Sequence, residues 1–288
     1  MNYQPFIGKT AIITGAGEGI GFAIAQHLMN EGANVVINDI NPDAIDKALA
    51  KLNDGHHDNV AYGMPGDAGN VEFIRTMVEF ADSIEDSNLE MIVPNAGLTE
   101  FGDFFEFNPD SFQKVVDLNL RGTFFLCQIG AAKMRDNGSQ GNIVLIGSNV
   151  GERAYLNLAA YGMSKAAISM LAKQLTLPLG PLGISINCVS PGATLTERTA
   201  AEVEDYAGTW AILNPNGRVG TTDDVAHAVS FLLSPQSRHI TGQTLLVDGG
   251  WTAYGPSPYT AEKIKNANPS SKNTTKNGAR KVSIETGK

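Results

Sequence analysis

Tyr161 and Lys165 stand four residues apart at the start of a helical pattern, which places both on one helix face. A free tyrosine titrates near pH ~10, too high for a base at neutral pH. An ammonium beside it stabilises the tyrosinate and makes proton transfer accessible. Ser148 ends the apolar run IVLIGS, thirteen residues before Tyr161, so its hydroxyl can hold an alcohol or carbonyl oxygen. Asn119 lies on a preceding helical segment. A Tyr-x-x-x-Lys pair alone also describes a solvated helix face, so this reading needs a second, independent feature.

That feature is Thr14-Gly15-Ala16-Gly17-Glu18-Gly19-Ile20-Gly21, directly after the strand-like TAIIT. Glycines let the turn tighten and let backbone N–H groups approach a pyrophosphate, and the helix that comes next adds its N-terminal partial charge. Asp39 ends the next β-branched run, VVIND, 24 residues after Gly15. Its carboxylate, with Ile40 next to it, suits the two hydroxyls of an adenosine ribose and repels a 2′-phosphate. Asp39 also suits the opening of the turn Asp39-Ile40-Asn41-Pro42, with Asn41 as helix cap. With Glu18 in the cradle there are two acids and no nearby base, which points to NAD rather than NADP. Asp67, beside Ala68, comes after the third strand and is placed either to reach the adenine or to cap a helix. An oxidised nicotinamide would add a second positive charge near Tyr161.

These groups need a scaffold. Strand-like runs at Thr10–Thr14, Val35–Asn38, Val60–Gly63, Met91–Pro94, Asn142–Ile146, Ile184–Val189 and Thr244–Val247 alternate with helical patterns. The helices fall at Ile20–Asn30, Asp43–Leu52, Val71–Ile84, Pro109–Arg135, Ala159–Leu177 and Asp223–Leu233. Seven strands with intervening helices predict an α/β fold, a doubly wound parallel sheet with helices on both faces. Ligands of such sheets sit at the carboxyl ends of the strands, where the residues above fall.

Composition narrows the function further. In 288 residues there are 21 Lys/Arg and 30 Asp/Glu, a net charge of −9, which suits no nonspecific nucleic-acid binder. Residues 262–288 hold seven Lys/Arg and two Glu, so residues 255–288 read as a basic, Pro/Asn/Ser/Lys-rich tail behind a domain of residues 1–254. Two cysteines in apolar runs exclude a disulfide framework. Neither a signal peptide nor an apolar run of ~18 residues is evident, so a cytoplasmic protein with no membrane association is expected. His56-His57-Asp58 lacks a second ligand cluster, and no metal site is expected. Glu85-Asp86 and Asp223-Asp224 read as solvated helix ends. Arg218 reads equally as an ion-pair partner or a substrate contact.

From Gly8 to Trp251 the sequence resembles the short-chain dehydrogenases/reductases. The resemblance rests on TGAGEGIG, Asp67, Asn95-Ala96-Gly97, Asn119-Leu120-Arg121-Gly122, Ser148, YGMSK, Pro191-Gly192 and Val247-Asp248-Gly249-Gly250. It departs from the family at Pro94-Asn95, where an Asn pair is usual, which leaves hydrogen bonding near the fourth strand open. The resemblance implies a single Rossmann-type domain and a tetrad of Asn119, Ser148, Tyr161 and Lys165. Tyr161 would be the acid/base and Ser148 would orient the reacting oxygen. Lys165 would bind the nicotinamide ribose, and the Asn119 main chain would hold a water. Asn95, Ala96, Gly97, Pro191, Gly192, Thr194 and Thr196 would line the dinucleotide. Homodimers or homotetramers are implied as well.

The expected reaction interconverts a secondary alcohol and a ketone or lactone. The lid would be Ala193–Asn216, flanked by Thr99–Phe105 and Asn149–Leu156. Polar groups there, Asn149, Glu100, Glu152, Arg153, Asn157, Glu197 and Arg198, with Trp210 among them, favour a sugar or polyol. The alternatives are a 3-oxoacyl-acyl-carrier-protein reductase, a dehydrogenase of steroid-like alcohols with Phe101, Phe104, Phe105 and Trp210 around an apolar pocket, and a non-catalytic NAD-binding regulatory protein.

Overall fold

Runs of β-branched and aliphatic residues between glycine-marked turns form the strands β1 (Lys9–Thr14), β2 (Asn34–Asp39), β3 (Ala61–Pro65), β4 (Asn88–Val93), β5 (Asn142–Ile146) and β6 (Ser185–Pro191). β7 (Thr194–Leu195) and β8 (Gly220–Thr221) are two-residue strands, and β9 (Thr244–Val247) is the last. The computed structural model describes residues 4–54 and 59–254. The tail 255–288 and His56-His57-Asp58 lie outside the described residues. Seven strands form one parallel sheet in the order β3-β2-β1-β4-β5-β6-β9. The chain reverses direction across the sheet at β1, which pairs with β2 on one side and β4 on the other. A crevice therefore opens at the carboxyl ends of β1 and β4.

Helices α1 (Gly19–Asn30), α2 (Pro42–Leu52), α3 (Val71–Asp82), α4 (Pro109–Val115), α5 (Thr123–Asp136), α6 (Ala159–Leu179), α7 (Glu197–Glu202), α8 (Tyr206–Leu213) and α9 (Thr222–Leu233) complete the chain. Successive strand residues point to opposite faces, and the core divides accordingly. Ile13, Val35 and Ile37 pack with Ile24 and Leu28 of α1 and Val229 of α9. Ile12, Val36 and Ile92 pack instead with Ile74 of α3, Leu126 of α5 and Ile168 of α6. Each such side chain is fully buried, which contributes roughly 1.5–3 kcal/mol apiece.

Several elements differ from the sequence expectation, with strand and helix ends shifted by up to three residues, as at β4 and β6. The single helix expected over Pro109–Arg135 is interrupted by a π-helical stretch, Val116–Gly122, between α4 and α5. α6 runs through Pro178 to Leu179, because a proline there affects only the final turn. The lid segment holds α7 and α8, and its base is clamped by a parallel pairing of β7 with β8, Thr194 opposite Gly220 and Leu195 opposite Thr221. Among the described residues no helix is long and apolar enough to cross a membrane.

Candidate active site

Thr14 and Asn95 lock the ends of β1 and β4 together. The Thr14 Oγ1 accepts from the backbone N–H of Asn95 at 3.1 Å and of Ala96 at 3.0 Å. The Asn95 Nδ2 donates to the carbonyls of Thr14 at 2.9 Å and Gly15 at 2.8 Å. Pro94 is buried and has no N–H to satisfy, and the side-chain bonds at the end of β4 come from Thr14 and Asn95.

Gly15 takes φ +61°, and a Cβ on it would stand 2.9 Å from the Ala96 Cα. A Cβ on Gly17 would stand 2.7 Å from the Ala44 Cβ, and one on Gly21 would overlap the Gly15 carbonyl oxygen. Glu18 is the extended N-cap of α1 and makes no side-chain capping bond. The first N–H groups of α1 thus keep no side-chain partner at the cap and can serve an anion. A cradle without room for a side chain, an uncapped helix start and Asp39 at the end of β2 together fit a dinucleotide. Gly19 and Ile20 open α1, and Ile20 also faces the main cavity.

Asp39 is held by the turn as well as aimed at the crevice. Its Oδ2 accepts from the Gly17 N–H at 3.2 Å and its Oδ1 from the Asn41 N–H at 3.0 Å. Each oxygen keeps a further lone pair. Ile40 is largely exposed. The Asp67 Oδ1 accepts from the Gly69 N–H at 2.7 Å, a local turn bond, and Ala68 is buried beside it. The expectation of no base near the ribose site needs correction. Lys47 and Lys51 of α2 line a cavity of about 180 Å³ with Gly17, Glu18 and Asn41. They stand one and two helical turns into α2, where sequence proximity to the cradle does not reveal them. The Lys51 ammonium lies 5.4 Å from the centroid of the Phe22 ring.

Asn119 is fully buried in the π-helical stretch. Its Oδ1 accepts from the Leu98 N–H at 2.8 Å, and its Nδ2 donates to the Leu98 carbonyl at 3.0 Å and to the Ser164 Oγ at 3.0 Å. The Ser164 hydroxyl in turn donates to the Tyr161 carbonyl at 2.7 Å. The sequence reading passed over Ser164, although it stands inside YGMSK. Lys165 is 4% exposed, and its Nζ donates to the Ile146 carbonyl at 2.8 Å. That ammonium lies 5.6 Å from the centroid of the Tyr161 ring. The Ser148 Oγ accepts from the Val150 N–H at 3.2 Å as the cap of a short 3₁₀ turn, Asn149–Gly151.

Ser148, Asn149, Tyr161 and Lys165 share one cavity of about 520 Å³ with Asn95, Gly97, Pro191, Gly192, Thr194 and Thr196. Asn119 is not among its lining residues. The lid contributes Arg198, Glu202, Tyr206 and Trp210 to it. Glu100 and Glu152, expected at the substrate, do not line it; they belong to loops whose side-chain direction is set by tertiary packing. Arg153, Asn157, Phe104 and Phe105 also stay out, while Phe101 lines it. Glu197 lines the smaller cavity instead. The cavity gains Tyr155, Leu158, Val203 and Trp251, none singled out from the sequence. Burial, then the neighbouring Tyr155, push the Tyr206 phenol above its usual range.

Arg218 is settled as an ion-pair partner. Its guanidinium forks onto Asp224, at 2.5 and 2.7 Å. Asp224 also accepts from the Thr221 N–H at 2.8 Å, so it is a paired cap rather than a solvated helix end. The Arg218 bonds hold its carboxyl well below the usual carboxylate range. Asp223 meets the His27 ring at 3.2 Å. Burial pushes the Cys127 thiol up to about 12 and raises that of Cys188 as well, so both are poor nucleophiles.

A family model described as enoyl-(acyl carrier protein) reductase matches residues 15–252. The chain is 34% identical over 244 residues to the 3-oxoacyl-(acyl-carrier-protein) reductase FabG of Chlamydia muridarum, across 85% of this chain and 97% of the relative. A solved structure described as a short chain dehydrogenase/reductase family protein is 32% identical, with a TM-score of 0.78 over 87% of this chain and 100% of its own. A gluconate 5-dehydrogenase from Burkholderia cenocepacia, solved in complex with NADP and tartrate, is 30% identical with a TM-score of 0.80, covering 88% of this chain and 99% of that one.

Proposed function

We propose a function from one premise: this chain belongs to the short-chain dehydrogenase/reductase family. It is an oxidoreductase of that family, and we read it as interconverting a secondary alcohol and a ketone, with NAD preferred. The observation that carries the reading is the placement of the Lys165 ammonium 5.6 Å from the Tyr161 ring, both on the wall of the cavity that Gly97 and Ile20 share. Buried Lys165 has no carboxylate partner among the described residues, so no acid offsets its charge beside the Tyr161 ring.

A bound dinucleotide supplies a hydride donor or acceptor at its nicotinamide carbon. The chain does the rest. Gly15, Gly17, Gly19 and Gly21 let the backbone approach the pyrophosphate, and Asp39 takes the adenosine ribose. The Tyr161 phenol passes a proton to or from the substrate oxygen, and the Ser148 hydroxyl holds that oxygen. Lys165, with one proton committed to the Ile146 carbonyl, keeps two for the nicotinamide ribose and the phenol. Asn119 fixes the Tyr161 turn of α6 through Ser164. Asp39 supports NAD by excluding a 2′-phosphate, against the pull of Lys47 and Lys51 nearby. The relatives' names span acyl-carrier and gluconate substrates, so likeness alone selects no substrate.

We also read residues 1–254 as the catalytic unit and 255–288 as an appended tail. Apolar side chains stay exposed on α4, α5 and α6, among them Phe112, Phe124, Met163 and Leu177, which supports assembly into dimers or tetramers.

The test is initial-rate absorbance at 340 nm with NAD and NADP over a broad alcohol panel, beside Tyr161→Phe. The variant is expected to lose about 10²–10⁴ in kcat and keep its dinucleotide affinity. An unchanged rate would remove Tyr161 from the reaction, and a kcat/KM favouring NADP would overturn the role given to Asp39.

A further inference from the structure

The chain contains two tryptophans, and both line the 520 Å³ cavity. They stand in a connected set of four rings. Tyr155 stacks on Trp210 with centroids 6.4 Å apart and planes 26° apart. Tyr206 lies 6.2 Å from Trp210, and Trp251 meets Trp210 edge-on at 6.3 Å. The rings arrive from three separate segments: the loop before α6, the helix α8 and the turn after β9. None belongs to either buried core cluster. Assembling four partly exposed aromatic rings from three segments adds nothing to either core cluster, and leaves apolar surface to be covered by a guest.

Their spacing says what kind of guest. Rings that surround a cation stand apart around a common void. Here neighbouring rings touch at stacking and edge-to-face distances, so they form a wall. Phe101 and Leu158 extend the apolar lining. Two hydroxyls at the base of the lid are committed elsewhere. Thr194 donates to the Gly192 carbonyl at 3.0 Å, and the Thr199 Oγ1 bonds within the turn at Thr194 and Thr196. Ser148 and Tyr161 stand together at the reaction end, while the polar side chains Arg198, Glu202 and Thr209 line the lid side.

We propose that this cavity takes a ketone or alcohol carried on a flat aromatic or fused-ring system, its ring plane against the Trp210 wall and its oxygen toward Ser148 and Tyr161. The orientation rests on the oxidoreductase reading above; the ring recognition has its own readout.

The test compares 2-tetralone with 2-decalone, which share a carbon skeleton and differ in one aromatic ring, and with D-glucitol. Each is titrated by calorimetry into the full-length protein with saturating NAD, while tryptophan emission is monitored in parallel. Stacking should make 2-tetralone bind roughly 3- to 10-fold tighter than 2-decalone, with quenched emission, because both emitters sit in the cavity. Trp210→Leu keeps apolar bulk and should erase that preference, with Trp251 still reporting. Tyr155→Leu, at an exposed loop position, provides a second variant and should reduce it. Equal affinity for the two ketones, tighter binding of D-glucitol, or a preference untouched by both variants would overturn the proposal. Preferential binding of 2-tetralone without turnover by any dinucleotide would strike the oxidoreductase reading and leave ring recognition standing. Turnover of D-glucitol without ring preference would do the reverse.

Discussion

Along β1, β2 and β4 the crevice is shaped by main chain: glycines too crowded for a Cβ, a threonine and an asparagine bonded to backbone, and a carboxylate held by two N–H groups. Along the loop before α6, the eight-residue helix α8 and the turn after β9 it is shaped by side chains: four partly exposed aromatic rings, two of them on α8. The first bank has little freedom, because displacement there breaks partly buried hydrogen bonds or runs into close contacts. The second can exchange one ring for another at the cost of local packing alone. Placed side by side, the two banks separate a fixed chemistry from an adjustable specificity, which fits relatives named for different substrates on a shared fold.

Substitutions can break this contrast. The largest effect is expected from Gly21→Val, whose Cβ would overlap the Gly15 carbonyl and stand 2.6 Å from the Asn95 Nδ2. A loss of about 3 kcal/mol in thermal unfolding is expected, together with lost NADH binding by fluorescence titration. A variant that melts and binds like the parent would show the first bank to be as pliable as the second.

Asn119→Ala comes next. It leaves the Leu98 N–H and carbonyl without their buried partners, at a cost of about 2 kcal/mol. As a positioning residue acting through Ser164, Asn119 should affect kcat more than KM. A variant with lowered stability but unchanged kcat would reduce it to a structural brace.

Arg218→Met, below the lid, should cost about 1 kcal/mol or less near pH 7, because the pair with Asp224 is partly solvent-exposed. The folded carboxyl of Asp224 titrates below its ordinary value, so its stabilisation is present above the unfolded pKa and is lost as pH falls through the folded one. Denaturant midpoints of parent and variant should therefore differ by a constant amount from about pH 5 to 8 and converge only below about pH 4. Convergence near neutral pH would assign the difference to another group.

Much of the first bank was legible because its signals are local. The glycine cradle, Asp39 at the end of VVIND and the four-residue spacing of Tyr161 and Lys165 are read within a few positions of one another, and the alternation of strands and helices supplies the sheet that aligns them. The second bank is assembled from segments far apart in the chain. Nothing local separates Glu152, which stays outside the cavity, from Tyr155 three residues later, which lines it. Lys47 and Lys51 are hidden in the sequence for the same reason, since they approach the cradle across the α2 surface. The pairing of β7 with β8 joins residues 26 positions apart through two-residue strands, too short for any periodicity. The π-helical stretch is equally silent: Val116, Asp117, Asn119 and Gly122 are weak helix formers, but that composition does not distinguish a wide turn from a regular one.

That wide stretch at Val116–Gly122 has a consequence for inheritance. A π turn holds one residue more than the regular pitch requires, so it is where a helix absorbs an insertion without rotating its later turns. Deleting a single codon there would restore regular winding, keep Phe112 and Phe124 on their faces, and withdraw the asparagine from beneath the reaction centre. A descendant gene could lose turnover in one small step while keeping the glycine cradle, at the stability cost of the freed Leu98 backbone groups.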